Sequence, residues 1–518
     1  MSLFRVITVG FALIVSCLCA LSYADAQVVS LKNNQAEVAL ARTTLRHAAD
    51  MAVKINDEHL GREIVLRYIV VSQASVEDMP GAFKTATKIR DPKEKVLAIA
   101  DIASVQAKLG QTREAAKTFR HAQVLAASLK DLYRQAGTLA KVAELQAKSQ
   151  NHADAAHTFA QAVQVATTLP TEDERASILS WIGASQFESG NTQAAATTIR
   201  EASRYLSTVQ GETSRLDTAT TLAAELVQVG DEQSALALAH TFTDQHERDD
   251  RSKVLRFIAV QQARDGRIEE ALKTASDIAR ETIREEALSV IVRAQSTQGD
   301  VQQAIQITET IQHNRLAKTL ALLSIAKAQG KAGESAEAAQ RVEQAADLFQ
   351  KEVSASPSEF QWGHVGVVEA FLETGNLKKA TEAAGVQKFA PVKAYSLSMV
   401  AKAYANAGDK VTAQKLLEQA VELGIQGYNL SLIAESYAQI GDVPTALKTI
   451  RRIPREVDGS FALLRIADNQ TRQGDPKEAL KWANGLKSPY LKSFALSGVA
   501  MGILHKLGID VRVSGGVL

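Results

Sequence analysis

The chain has 518 residues with 59 Lys plus Arg against 58 Asp plus Glu, a balance that gives no reason to expect a polyanion such as DNA, which calls for a basic stripe. A hydrophobic fraction of 46% with only 5% aromatics, nine prolines and no long strand-like run argues for helices rather than a β-architecture. Cys17 and Cys19 are the only cysteines, which excludes a disulfide scaffold.

Residues 1–26 read as an export signal. Arg5 supplies the positive start, Val6 to Leu21 an apolar core too short for a spanning helix, and Ala24-Asp25-Ala26 an A-x-A cleavage site. Cleavage there leaves a mature chain without cysteine. A large exported chain without disulfides points to a bacterial periplasm or exterior. A rival reading takes Ile14-Val15-Ser16-Cys17 as a lipobox with Cys17 as a lipid anchor, but the residues after Cys17 remain apolar where a lipoprotein is usually polar.

Residues 27–57 hold an N-terminal helix, Leu31–Ile55, and Glu58–Ser75 forms the next. From there a pattern recurs. The turn residues are Glu77, Gly110, Gln150, Gly190, Gly230, Gly266, Gly299, Gly333, Gly375, Gly408, Gly441 and Gly474, each 33 to 42 residues from the next. Five residues past every one of these turns stands an alanine, as in Ala304 and Ala446, and eight before each of the eleven clear turns stands an aliphatic such as Ile291 or Ile433. Glycine at the turn suits a left-handed helix end, and Asp442 after Gly441 can cap the following helix. Each unit is therefore a helical hairpin, and period counting precedes every other reading of such a chain.

These residues resemble the tetratricopeptide repeat (TPR) family over roughly residues 60 to 507. The family's small residue follows the aliphatic one in most units, for example as Ala103, Gly183 and Ala434, with Val292 and Val368 as exceptions. The family's aromatic four residues before the turn survives only as Phe371, Tyr404 and Tyr437. Gln replaces it at Gln106, Gln146, Gln186, Gln262, Gln295, Gln329 and Gln470. The resemblance implies an all-α, right-handed superhelical solenoid of about twelve helix-turn-helix repeats. Gln shares the buried stripe at that position. The expectation is a ladder of amides satisfying turn or neighbouring-helix backbone groups, with a polar rail for ligand as the alternative.

Asp91-Pro92, Asp475-Pro476 and Ser488-Pro489 place a cap before a proline at the first helical position, and Asp475 to Glu478 is shaped like a capping box. The 40-residue spacings between Gly110 and Gly230 imply an enlarged second helix, since seven extra residues are close to two turns. The array runs over 58–352, breaks at a Ser/Pro-rich loop over 353–362 that includes Trp362 and serves as an insertion or a hinge, and resumes over 363–507 with a capping helix. A loose tail, 508–518, follows.

No motif carries chemistry. There is no P-loop, G-x-S-x-G or G-x-G-x-x-G, and His152 and His157, five apart, do not share a helical face well. Neither catalytic residue, cofactor nor metal is expected. In the TPR family, residues six before the turn point into the concave groove. The resemblance thus nominates Arg293, Lys327, Glu369, Lys402, Glu435 and Asp468 as a partner-binding surface, with a protein or peptide as partner. The reading is an exported, non-catalytic scaffold. Alternatives are an assembly factor of a cell-envelope polysaccharide or secretion machine, and an unrecognised enzyme working in the groove.

Overall fold

A computed structural model describes residues 31–56, 61–207, 209, 212–242, 248–353, 363–423, 425, 427–511 and 513. The export signal at 1–26 and the loop residues 354–362, with Trp362, lie outside the described residues. All regular structure among the described residues is helical, arranged as successive hairpins of a TPR-like solenoid.

The turn is what makes the hairpin. At Gly441 the backbone is left-handed, with φ 94°. The Gly441 amide donates to the Ala438 carbonyl, and the next amide, of Asp442, reaches back to Tyr437 at 2.8 Å. This pair of bonds satisfies carbonyls that the helix end would otherwise orphan. The Asp442 side chain then accepts from Thr445 N, starting the helix Val443–Ile450. Two adjacent residues thus end one helix and begin the next. The geometry repeats at the other predicted turns, including the two without glycine, Glu77 at φ 57° and Gln150 at φ 63°.

Gly474 is the exception, at φ −141°. Its successor Asp475 precedes Pro476, whose ring excludes the compact conformation that the equivalent residue adopts elsewhere. Asp475 is accordingly extended, at ψ 124° against 68° for Asp442. Asp475 caps through Lys477 N at 2.9 Å and not through Glu478 N, so the expected capping box does not form. Asp91 and Ser488 cap as expected, through Glu94 N and Leu491 N.

Each first helix carries its aliphatic residue inward, and each second helix presents its alanine to it. Ile291 and Ala304 are both fully buried, as are their counterparts Ile433 and Ala446. The alanine permits the two helices of a hairpin to approach closely, and the solenoid buries a continuous core by stacking such pairs. First helices are about five turns long, as in Pro92–Lys108. Second helices vary in length, nine residues in Val301–Glu309 but 13 in Lys410–Glu422 and 19 in Ser335–Val353; where the spacing is 40, Thr112–Ala127, His152–Thr167 and Thr192–Leu206 have 16, 16 and 15 residues. The enlarged second helix is present as expected.

Packing divides the chain into two units, one formed by residues 1–165 with 437–518 and the other by 166–436. In the first unit the helix Pro489–Lys506 is apolar on every side and buried from Tyr490 to Leu504 almost without interruption. It lies against Glu456–Gln473 and also against the N-terminal helices Gln35–Val53 and Gly61–Ser75. A helix hydrophobic all round requires neighbours on all sides, which a terminal cap with one polar face does not have. Gly508 adds a further left-handed turn at φ 76°, and Ile509 and Val511 beyond it are buried. The start of the tail is therefore packed, because it supplies apolar side chains to that turn.

In the second unit, first helices of consecutive hairpins pack side by side, among them Arg248–Arg264, Glu281–Gln298, Arg315–Lys331 and Gly363–Glu373. Among the described residues no helix is long and apolar enough to cross a membrane.

Candidate binding cleft

A first helix packed between its neighbours and its own second helix has one open stripe. In the second unit that stripe falls at thirteen, nine, six and two residues before the turn, a spacing of four, three and four that follows one face of a helix. Along Arg315–Lys331 it is Leu320, Ser324, Lys327 and Lys331. Together with the matching residues of Glu281–Gln298 and Gly363–Glu373 it lines a cleft of about 880 Å³.

Three of the six residues nominated from the sequence meet there. Arg293, Lys327 and Glu369 are exposed and line the same cleft from three successive hairpins. Lys327 Nζ pairs with Glu373 Oε1 of the next first helix at 2.5 Å, tying two hairpins across the opening. Arg293 and Glu369 form no ion pair with a described residue. Asp300, Lys331 and Glu334 complete a lining of mixed sign. Lys331 and Glu373 were missed in the sequence because only the position six before the turn was followed; extending that stripe by one helical turn finds both.

The other three nominated residues do not line this cleft. Lys402 is half-buried and Glu435 is buried, at 8% exposure. Asp468 belongs to the first unit and is engaged by His505 Nδ1 at 2.7 Å and Arg472 at 3.3 Å. The position six before the turn is thus not uniformly open. Glu144, at the same register, shows one reason: Lys141 and Lys148 both bind its carboxylate and cover it. Burial alone pushes that carboxyl up, and the two lysines outweigh it and hold it below the usual range.

The glutamine ladder departs from expectation. Gln295 Nε2 donates to Asp300 and Gln303, and Gln329 Nε2 to Glu334 at 3.2 Å. Gln470 accepts instead, from Trp482 Nε1 at 2.7 Å. These amides reach side chains at or beyond the turn, not backbone groups, because the main-chain bonds of the turn already serve the backbone. The side-chain oxygens of Gln106, Gln186, Gln262, Gln295 and Gln329 are buried with no partner among the described residues, and Gln146 has neither amide atom paired.

One carboxyl stands apart electrostatically. Glu225 is buried and accepts a hydrogen bond from Ser180 Oγ at 2.7 Å. Desolvation pushes it up to about 8, outweighing the opposing hydrogen bond from the serine. It does not line the cleft. Glu281, Glu285 and His313 lie close enough to hold a metal ion, but Glu285 already accepts from the backbone amides of Gln312, His313 and Asn314, closing the loop into the next hairpin. It fastens the loop that leads into Arg315–Lys331, whose first turn is capped by Asn314 through Ala317 N.

No known protein family matches the chain, and no curated protein matches it. Solved structures similar to it include Ton1535 from Thermococcus onnurineus NA1, at 16% identity over 72% of this chain and 98% of the other, with TM-score 0.31. Naa15/Naa10 bound to HypK-THB matches at 15% identity over 91% and 79%, with TM-score 0.33. The APC/C hetero-tetramer Cut9-Hcn1 matches at 14% over 86% and 94%, with TM-score 0.22. Likeness at this level carries neither partner nor activity to this chain.

Proposed function

We propose that the protein is an exported, non-catalytic scaffold that holds a polypeptide in the cleft of its second unit. The observation that carries this reading is the meeting of Arg293, Lys327 and Glu369, from three successive hairpins, on one open wall of mixed charge. Alternating signs over about 880 Å³ suit a polypeptide carrying both charges better than a phosphate polymer, which would be repelled by Glu369 and Glu373. Export is supported by the signal-like start, Arg5 followed by an apolar run and Ala24-Asp25-Ala26. Association with an envelope complex belongs to the same proposal.

Cross-linking capture from the native periplasm, repeated with the Arg293→Glu/Lys327→Glu double variant, tests it. Capture should fall and should weaken with salt, since exposed charges are screened beyond about 8–10 Å at physiological ionic strength. Reversing Lys273 and Lys448, exposed on second helices, should do less. Equal effects of the two pairs of reversals would remove the cleft from the reading.

A further inference from the structure

A second cavity, of about 480 Å³, opens in the first unit where the helix Thr112–Ala127 ends and Leu132–Lys148 begins beside the start of Pro92–Lys108. Volumes of this size are typical of small-molecule sites. Its floor is apolar, made by Val96, Leu125 and Leu129, and its rim sets the cations Arg90, Lys95, Lys130 and Arg134 against the one carboxylate Asp131. Arg134 is already committed, holding both oxygens of Asp91 at 2.7 and 2.9 Å. Arg90, Lys95 and Lys130 form no ion pair with a described residue.

The fold does not impose this charge. At the next junction the equivalent stretch reads Thr171-Glu172-Asp173-Glu174, three acids where the first has Asp131-Leu132-Tyr133-Arg134. Apolar exposure is concentrated in the same place. Val124, Leu132 and Tyr133 are three of the eight large apolar side chains exposed among the described residues; they fall within the ten-residue stretch 124–133 that also supplies Leu125, Leu129 and Lys130 to the cavity, without lining it themselves.

We propose that this cavity binds a small amphiphilic carboxylate, its apolar body on Val96, Leu125 and Leu129 and its anionic head among Arg90, Lys95 and Lys130. A single carboxylate fits better than a phosphate. The side chains of Asp91 and Asp131 already occupy the two adjoining helix starts, accepting from Glu94 N and Arg134 N, so the backbone donors that a phosphate usually takes are used. What remains is a group of long cationic side chains around an apolar floor, which attracts charge and chain together.

Calorimetric titration of the full chain with octanoate tests the assignment, with octanol, acetate and inorganic phosphate as comparison probes. Octanoate should bind at one saturable site, at least tenfold more tightly than each of the other three. Arg90→Glu/Lys130→Glu should weaken octanoate at least tenfold while circular dichroism and melting stay unchanged. Should that double variant melt differently, Lys130→Gln alone, at an exposed position, gives the reading. Absence of octanoate binding, equal binding of acetate, phosphate or octanol, or indifference to the variants would overturn the proposal. None of these outcomes bears on the cleft at Arg293 and Lys327, which is in the other unit.

Discussion

Ser493 Oγ donates to the main-chain carbonyl of Ala48 at 3.0 Å, in the buried interior of the first unit and across 445 positions of sequence. The bond marks the place where Pro489–Lys506 packs on Gln35–Val53. On its opposite side the same helix approaches Glu456–Gln473 so closely that a Cβ on Gly498 would meet the Leu464 carbonyl oxygen at 2.1 Å. Gly498→Ala should therefore force the helices apart and destabilise the unit by about 1–3 kcal/mol. Hydrogen exchange should show protection falling in both 35–53 and 456–506. Unchanged protection at 35–53 would mean that the two chain ends do not stabilise one another.

The left-handed turns give a paired test of opposite sign. Gly441→Ala should cost about 1–2 kcal/mol, because nothing lies within 4 Å of the added Cβ and backbone strain alone decides the result. Gln150→Gly, at φ 63°, should relieve the same strain. Denaturant melts in which both variants move in one direction would contradict the turn assignment.

Ala304 is fully buried between the two helices of its hairpin. Ala304→Leu should overpack this contact and cost about 1–3 kcal/mol. A thermal melt unchanged from wild type would show that the hairpin has slack there.

Gln146 is fully buried, and neither atom of its amide has a hydrogen-bond partner among the described residues. Its main-chain carbonyl accepts from Asn151 N and would be untouched by a change of side chain. Gln146→Leu, close in volume, should stabilise by about 1–3 kcal/mol, the usual penalty for an unpaired buried polar group. A destabilised variant would reveal a partner for that amide.

Glu225 makes stability depend on pH with a defined sign. Its folded carboxyl is raised from 4.5 to about 8, so between those values the unfolded chain is ionised and the folded chain holds the proton. The stability this protonated group allows is full below about pH 4.5 and is lost as pH rises through about 8. Glu225→Gln should flatten the melting temperature against pH over that window and raise it at the alkaline end. Parallel profiles for wild type and variant would refute the assignment.

Much of the fold was legible because a turn, an aliphatic residue and an alanine recur at fixed offsets, and each offset has one physical cause. Even the turns at Glu77 and Gln150 could be placed without glycine, by counting from the neighbouring units. Gly474 could not, since its conformation depends on Pro476 two residues on, which the period ignores. The packing of Pro489–Lys506 on Gln35–Val53 was hidden for another reason: a repeat describes contacts between neighbours and is silent about contacts across 445 residues. The cleft was half legible. Register alone aligned Arg293, Lys327 and Glu369, but the same register also selected Glu435, whose burial depends on what covers its helix.

The pairing of Ser493 with Ala48 also sets a schedule for biosynthesis. Ala48 in the helix Gln35–Val53 is made 445 residues before Ser493 in the helix that covers it. At about 5–20 residues per second, the interval between them is roughly 20–90 s. During that time the apolar face of the early helix has no native neighbour from the C-terminal end, whereas residues 166–436 hold all the contacts of their own unit. The newborn chain should accordingly need shielding by a holdase at residues 35–53 until 489–506 has been made, and loss of 489–506 should be felt first at residues 35–53.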